Sequence, residues 1–252
     1  EAEAQRLEVA YRELSIAEKA KSEYMRKVAH ELRGPLGTVK TALSVALDSA
    51  PDSMSQRARG LIERAERRAG ELAEMTRELL SLALARGGEA LAEPVAMDLG
   101  TVAREVLDEM AARAEEAGVA LSFRLHDGLP PLPGNPGGMA DLMRNLLGNA
   151  IRYTPAGGSV SFTIWKAAGC LVVEVRDTGI GIEAEAVDRI FEEFYRSDAA
   201  RAHAPEGTGL GMAIVKAVVD QHRGTIDVES EVGRGTRFRV RLPLPRETTG
   251  GG

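Results

Sequence analysis

The chain has 252 residues, 44% hydrophobic and 28% charged, so it can bury the core of one large domain or two modest ones. Its net charge of −6 argues against nucleic acid as a partner, and no apolar run is long enough to span a membrane. A single cysteine, Cys170, excludes an internal disulfide and is expected to be a small buried side chain. We expect a cytoplasmic chain without a membrane segment. Residues 1–33 contain neither Gly nor Pro, so we expect the sequence to begin inside a helix. Such a start is consistent with an upstream sensor or membrane segment.

Two amphipathic helices come first. Apolar residues repeat at helical spacing from Met25 to Ala46 and again from Leu61 to Ala83. A turn at 48–53 separates the helices, and Gly87-Gly88 ends the second. An antiparallel hairpin of two helices has a thin core, so we predict that two chains form a homodimer with a four-helix bundle.

From residue 93 the pattern changes to alternating helices and strands. Helices are predicted over 99–117, 138–153 and 211–221, and strands over 121–125, 159–165, 171–176, 224–230 and 236–242. This order predicts a two-layer α/β sandwich. The predicted organisation is a linker or signalling helix over 1–22, a helical hairpin over 23–88, an α/β domain over 93–246 and a disordered tail over 247–252.

His30 is predicted to lie on the exposed side of the first helix. It is two residues from both Val28 and Leu32, so it points away from the apolar stripe. Glu31 offers a carboxylate that accepts one imidazole proton and leaves the other ring nitrogen nucleophilic toward an electrophile such as a γ-phosphorus. Pro35 predicts a bend close to the histidine. The alternative reading is an idle surface histidine.

A zinc-protease motif also begins with His-Glu. Here Gly34 occupies the position of the second histidine ligand, and the chain has only 4 histidines. Zinc catalysis is therefore excluded.

One helix of the second domain carries a polar face. Asn145, Asn149 and Arg152 recur at i, i+4 and i+7, which suits amide oxygens facing hydrated Mg²⁺ and a cation facing phosphates. Ordinary surface amides are an equally good explanation of this pattern alone.

Two glycine-rich runs follow. The run Asp177-Thr178-Gly179-Ile180-Gly181-Ile182 ends a strand and lets backbone approach a planar ligand. The run Gly207-Thr208-Gly209-Leu210-Gly211 precedes a helix whose free amide groups suit an anion such as a triphosphate. Taken singly, each run is also explained as a turn.

The order of these motifs, with Phe191-Glu192-Glu193-Phe194-Tyr195-Arg196 between the last two, resembles the sensor histidine kinase family over almost the whole chain. Residues 29–36 look like the phosphoacceptor box and residues 145–153 like the N box. Residues 177–182 look like the first glycine box, residues 191–196 like the F box, and residues 207–211 like the second glycine box. The resemblance implies a dimerisation and histidine phosphotransfer hairpin over 23–88 and a Bergerat-type (GHKL) ATP-binding domain over 93–246. It also implies ATP-dependent autophosphorylation of His30, followed by phosphoryl transfer to an aspartate of a response regulator.

The resemblance further implies roles for single residues. Asn149 would be the principal Mg²⁺ ligand, Asn145 would lie near the metal and phosphates, and Arg152 would contact the phosphates. Tyr153 would border the nucleotide, and Asp177 would accept a hydrogen bond from the adenine amino group, next to Gly179 and Gly181.

The catalytic residues implied in this way are His30, Glu31 and Arg196. Arg196 would reach the γ-phosphate, while Gly207, Thr208, Gly209, Leu210 and Gly211 would close on the phosphates. Residues 197–206 would be a mobile ATP lid.

Three positions depart from the family pattern. A polar residue that positions a dephosphorylating water is common where this chain has Gly34, so we predict weak phosphatase activity. Otherwise Gly34 merely loosens the helix, by roughly 1 kcal/mol relative to Ala. Asn135 stands where Asp is often seen and Arg223 where a second Gly is frequent; neither is given a functional consequence.

Two other functions compete with the kinase. A non-catalytic signalling scaffold is disfavoured by the intact motifs. An ATPase of the gyrase or Hsp90 kind uses a carboxylate as base where this chain has Asn145, and an amide is a poor base. The sequence leaves open the stimulus, the response regulator and whether phosphorylation occurs within one chain or across the dimer.

Overall fold

The computed structural model describes residues 27–28, 32–47, 54–86, 95–205 and 207–245. The chain divides into two compact units, Glu1–Gly87 with Glu206–Thr208 and Gly88–Pro205 with Gly209–Gly252. The predicted linker over 1–22, the tail over 247–252, and both His30 and Glu31 lie outside the described residues.

Two helices form the described part of the first unit, α1 over 32–47 and α2 over Gln56–Arg86. The hydroxyl of Ser44 on α1 donates to the Glu66 carboxylate on α2, 2.5 Å away. The buried positions of α2 are Ala69, Thr76, Leu82 and Ala83. Five large apolar side chains of the pair are 45% to 56% exposed: Leu32, Val39, Val45, Leu61 and Leu72. One chain therefore covers its apolar stripe only in part.

The second unit contains a five-stranded sheet. In chain order its strands are β2 (Ala120–Leu125), β4 (Ser159–Ala167), β5 (Cys170–Asp177), β6 (Thr225–Glu231) and β7 (Gly235–Pro243). The spatial order is β2-β4-β5-β7-β6; β2 and β4 are parallel, and the other neighbours are antiparallel. A separate two-stranded ribbon pairs β1 (Val95–Met97) with β3 (Leu132–Gly134).

Three long helices cover one face of this sheet: α3 (Leu99–Glu116), α4 (Pro136–Arg152) and α7 (Gly211–Gln221). Every second residue of β4 and β5 faces these helices, because side chains alternate along a strand. The residues that form this core are less than 1% exposed and include Val160, Phe162, Ile164, Leu171, Val173, Val175, Leu142, Leu146 and Val218.

The opposite face of the sheet carries ion pairs between neighbouring strands. Arg239 makes two hydrogen bonds to Glu174, at 2.8 and 2.6 Å, and Arg237 and Arg241 pair with acidic residues of β6. Charged rows of this kind belong against water, so the domain has two layers. The predicted fold class, a helical region followed by an α/β sandwich, is confirmed. Within the described part of the chain, no helix is long and apolar enough to cross a membrane.

The long elements match their predicted ranges within about two residues, whereas the short ones were missed. The missed elements are too short to carry a periodic pattern; they are the ribbon of β1 and β3, helix α5 (Ala184–Val187) and helix α6 (Asp198–His203).

The expected burial of Cys170 is wrong. It begins β5 opposite Pro243 at the end of the sheet, and its side chain is partly exposed.

Helix α7 ends in a Schellman motif whose left-handed position is Arg223. Its backbone φ is +53°, its N–H donates to Asp220, and the N–H of Gly224 donates to Val219. Glycine usually holds this position because a Cβ is disfavoured at positive φ. The arginine therefore stores backbone strain at the end of the helix.

We predict that Arg223→Gly raises the unfolding free energy by about 0.5–1 kcal/mol, since strain is relieved and only part of the gain is lost to the flexibility of Gly in the unfolded chain. Thermal denaturation of the two proteins measures the change. Arg234→Gly is the matched control, because Arg234 lies in an exposed turn without positive φ and should gain nothing. A lower melting temperature for Arg223→Gly would contradict the assignment of strain.

Candidate functional site

The buried carboxyl group of Asp177 lies at the end of β5. Its side chain is 6% exposed, and Oδ1 accepts hydrogen bonds from the N–H of Gly179 at 2.8 Å and of Thr236 at 3.1 Å. Oδ2 has no hydrogen-bond partner among the described residues. Burial raises the pKa of Asp177, and the two backbone hydrogen bonds oppose that shift. The group is a fixed acceptor with one oxygen available.

The glycines after Asp177 allow close backbone contacts. A Cβ on Gly179 would lie 2.5 Å from the carbonyl oxygen of Tyr153, which itself accepts from the N–H of Ile180 at 3.0 Å. Gly181 has a φ of +73°, and a Cβ there would lie 2.2 Å from the carbonyl oxygen of Glu231. The loop is thus held between the end of α4 and the turn from β6 to β7.

The predicted polar face of α4 is present. Asn145 and Asn149 are half-buried and Arg152 is exposed, while Leu146 and Leu147 point into the core. The amide nitrogen of Asn145 donates to the carbonyl of Asp141 at 2.8 Å. Within the described part of the chain, the side chains of Asn149 and Arg152 have no hydrogen-bond or ion-pair partner. The face therefore offers an amide and a cation to a ligand.

The N-terminus of α7 meets this face. A Cβ on Gly211 would lie 2.5 Å from Oδ1 of Asn145, so a side chain there would displace the amide of Asn145. Leu210, the residue before the helix, is buried and provides no side-chain cap. A helix N-terminus without a side-chain cap is a binding position for an anion.

The F box and the second glycine box are in contact. Phe194 has a φ of +62°, its N–H donates to the carbonyl of Gly209 at 3.0 Å, and a Cβ on Gly209 would lie 2.7 Å from the Phe194 backbone. Gly207 and Thr208 group with the helical unit, where the Thr208 hydroxyl donates to the Glu78 carboxylate.

Arg196 is bonded to the lid backbone in this structure. Its guanidinium donates to the carbonyls of Pro205 at 2.8 Å, Ala200 at 3.3 Å and Ala204. These carbonyls lie in or just after α6, so the segment expected to be a mobile lid contains a short helix. The ring of His203, the last residue of α6, lies 6.3 Å from that of Tyr153.

Several residues at this site were missed from the sequence. The N–H of Thr236 donates a hydrogen bond to the Asp177 carboxylate. Gly235 has a φ of +103°, and a Cβ there would lie 2.1 Å from the backbone carbonyl oxygen of Asp177, so a side chain does not fit. The hydroxyl of Ser230 accepts from the N–H of Ile182 at 2.8 Å. Of these residues, only Gly235 could have been noticed in the sequence, as a glycine at the start of a strand. The contacts of Thr236 and Ser230 depend on the register of the sheet, which the local sequence does not show.

The donor set suits a cation held mainly by phosphates. Among the described residues, no three His, Cys, Asp or Glu side chains gather into a metal site. Mg²⁺ is usually bound by one or two protein oxygens together with substrate phosphates and water. The amide oxygens of Asn145 and Asn149 fit that description.

The departure at Asn135 has a structural explanation. Asn135 caps the N-terminus of α4, and its side-chain oxygen accepts from the N–H of Gly137 at 3.0 Å. Asp and Asn are similarly good N-caps, so the substitution conserves the start of this helix.

Comparison with known families covers both units. Residues 20–88 match the His Kinase A (phospho-acceptor) domain, and residues 134–246 match the histidine kinase-, DNA gyrase B- and HSP90-like ATPase family. The chain belongs to the sensor histidine kinases.

Individual sensor histidine kinases agree with this membership. The chain is 33% identical to the sensor-like histidine kinase SenX3 of Mycolicibacterium smegmatis, over 90% of this chain and 58% of the relative. It is 37% identical to the sensor protein kinase PmrB of Pseudomonas aeruginosa, over 85% of this chain and 44% of the relative. The chain thus spans about half the length of the curated relatives it matches.

Solved structures agree as well. The structure of full-length ShkA in complex with AMPPNP is 26% identical, with a TM-score of 0.71 over 89% of this chain and 46% of that one. The mycobacterial sensor histidine kinase MprB is 27% identical, with a TM-score of 0.52 over 60% of this chain and 97% of that one. The predicted family is confirmed.

We predict that Asp177→Asn is at least as stable as the parent at neutral pH, because Asn keeps an acceptor for Gly179 and Thr236 and removes a buried charge. The folded state raises the pKa of Asp177. The carboxyl therefore contributes most to stability below its unfolded-state pKa, and this contribution is lost as pH rises through the folded-state pKa. The advantage of the variant in unfolding free energy should grow with pH over that range, as measured by urea unfolding.

Asp98→Asn is a control of opposite sign. Hydrogen bonds, first of all from the Thr101 hydroxyl, lower the pKa of Asp98. Asn can still cap α3 by accepting from the N–H of Gly100 but lacks the charge of the carboxylate, so the variant should lose stability at neutral pH and lose none in acid. If Asp177→Asn were clearly less stable than the parent at pH 7, burial would not be the dominant influence on that carboxyl.

Proposed function

We propose that this chain is the ATP-dependent kinase core of its sensor: it binds Mg²⁺-ATP, phosphorylates His30, and passes the phosphoryl group to an aspartate of a response-regulator receiver domain. The observation that carries the proposal is the available oxygen of Asp177, joined by backbone contacts to the polar face of α4. The proposed domains are the phosphotransfer hairpin over 23–88 and the catalytic domain over 93–246.

Adenine recognition is assigned to Asp177. Oδ1 is used by two backbone N–H groups, so Oδ2 accepts the hydrogen bond from the adenine amino group. Guanine presents an oxygen at that position, and two acceptors repel each other. Gly179 and Gly181 let the loop lie flat beside the base, and Tyr153 borders it.

The triphosphate is assigned to the region where α4 and α7 meet. Asn149 is the first candidate for the metal, because its amide has no partner in the described part of the chain, and Asn145 is the second. Bound Mg²⁺ would neutralise charge on the phosphates. Arg152 and the backbone of Gly209, Leu210 and Gly211 supply further positive charge. Gly207 and Thr208 complete the proposed loop.

Phosphoryl transfer is assigned to His30. A neutral imidazole nitrogen attacks the γ-phosphorus in line, the bond from the γ-phosphorus to the β,γ-bridging oxygen breaks, and ADP leaves. Glu31 holds the proton on the other ring nitrogen, and Arg196 stabilises charge on the transferred group. Asn145, an amide where hydrolytic relatives have a base, disfavours attack by water instead.

We also propose a homodimer through the hairpin. Five large apolar side chains of α1 and α2 are about half exposed in one chain, and a second copy would cover them in a four-helix bundle. A cytoplasmic location remains a prediction from the sequence.

The experiment that tests the kinase is incubation with γ-labelled ATP and Mg²⁺. The chain should become labelled through a bond that is labile in acid and stable in alkali, whereas His30→Gln should stay unlabelled. His126→Gln is the matched control and should label like the parent, because His126 is exposed next to β2 and lies outside the proposed site. Tight ATP binding without label would favour the scaffold instead.

Gly34 provides a second test. A Cβ built on Gly34 meets nothing within 4 Å, so the Cβ of a threonine fits there without displacing a described residue. We predict that Gly34→Thr increases dephosphorylation of the phosphorylated response regulator several-fold and leaves labelling of His30 within about twofold, since kinase chemistry does not use this position. Gly37→Thr, which is equally unobstructed, is the matched control. Equal phosphatase rates for all three proteins would show that Gly34 only affects the helix.

A further inference from the structure

The edge strand β2 has backbone groups that face away from the sheet. At its start the N–H of Ala120 donates to the carbonyl of Gly158 at 2.9 Å, and just after its end the N–H of His126 donates to that of Ile164 at 3.0 Å. Every second residue of a parallel strand bonds its neighbour, and the residues between face the other way. No strand in the described part of the chain pairs with this outer edge. Free N–H and C=O groups therefore point outward from Leu121, Phe123 and Leu125.

The side chains of β2 do not protect this edge. Phe123 is 60% exposed, and Leu121 and Leu125 are half-buried on the same face of the strand. Natural proteins usually block an open edge with a lysine, a proline or a β-bulge. Strand β2 contains no Lys or Pro, and its register with β4 is regular throughout. Its single charged residue, Arg124, lies on the opposite face, so the edge is open to another strand.

The sequence of β2 is complementary to itself in an antiparallel pair. If a two-fold axis passes through Phe123, the two Phe123 side chains face each other and Leu121 faces Leu125 of the second copy. On the other face Ser122 meets Arg124 of the second copy, so no like charges lie opposite each other. The residues with free backbone groups then form the hydrogen-bonded pairs of the antiparallel ladder. This register therefore gives a partner to every outward N–H and C=O group of β2.

The other edge strand of the sheet, β6, lacks this complementarity. Its outer edge is also unpaired within the described residues. An antiparallel pair of β6 strands centred on Val228 would place Asp227 opposite Glu229 of the second copy. Like charges directly opposite each other destabilise a strand pair. Of the two edges, β2 is the one that suits a second copy of the chain.

We infer that two copies of this chain associate through β2, antiparallel about Phe123, so that their sheets join into one continuous sheet. Each copy contributes the same strand, and the interface is therefore closed by a two-fold axis. It is separate from the homodimer proposed through the helical hairpin and uses none of the residues proposed for catalysis. Its consequence is that two α/β domains are held side by side independently of the hairpin.

Disulfide cross-linking of the full chain tests this register. Every variant also carries Cys170→Ser, because Cys170 is the only native cysteine. Phe123→Cys should cross-link with itself on mild oxidation, since the two Cα atoms would lie about 5.5 Å apart, within reach of a disulfide. Ser122→Cys alone should cross-link at least about tenfold less, since its two copies would be diagonal neighbours about 7–8 Å apart. A mixture of Ser122→Cys and Arg124→Cys proteins should cross-link, because these positions face each other.

A substitution at the centre of the edge separates a paired edge from chance collisions. Phe123→Lys, added to both proteins of the mixture, should lower its cross-linking about tenfold or more, because two lysines would then face each other. Val95→Lys is the matched control and should change nothing, since Val95 is 58% exposed but lies on the separate ribbon. Thermal denaturation verifies that both variants are folded.

Three results would overturn the inference. The first is the absence of a cross-link in Phe123→Cys, and the second is equal cross-linking of Phe123→Cys and Ser122→Cys. The third is cross-linking of the mixture that Phe123→Lys leaves unchanged. None of these results bears on labelling of His30, so the kinase proposal is tested separately.

Discussion

The carboxylate of Asp177 is the constraint on which the second domain's site depends. A buried carboxylate costs free energy unless it is hydrogen-bonded, and here two backbone N–H groups bind Oδ1 while Oδ2 has no partner among the described residues. One N–H belongs to the glycine loop after β5 and the other to β7, so the carboxylate joins the loop to the sheet. The loop in turn contacts the end of α4 through Tyr153 and Ile180. The polar face of that helix is therefore fixed relative to Asp177.

Two residues of this arrangement, Asp177 and Phe194, make the folded chain less stable than it could be. Burial raises the pKa of Asp177, which means that the folded chain would be more stable with a neutral group there. Phe194 adopts a φ of +62° at the contact with Gly209, a conformation that costs a non-glycine residue energy. A site that is less stable than the scaffold around it is common where a ligand supplies the missing contacts.

The sequence predicted the elements that carry a periodic apolar pattern and the motifs that are local in the chain. It did not predict contacts between residues that lie far apart in the chain. The long helices and strands follow from apolar spacing, and Asp177 was identified from a strand followed by glycines. The approach of Gly211 to Asn145 and the bond from Thr236 to Asp177 join residues more than 50 positions apart, so no local pattern signals them. Helix α6 is too short for a periodic signal, and the position of Arg196 on its carbonyls was not foreseen. His30 and Glu31 rest on the sequence and the family alone, because they lie outside the described residues.

Calorimetric binding of ATP and of purine riboside triphosphate, which lacks the adenine amino group, is the most direct test of the assignment of Asp177. The account predicts that ATP binds at least about tenfold more tightly, since loss of that group leaves the buried Oδ2 without a donor. It also predicts that Asp177→Asn abolishes this preference. Equal affinity of the parent for the two nucleotides would contradict the claim that Asp177 selects adenine.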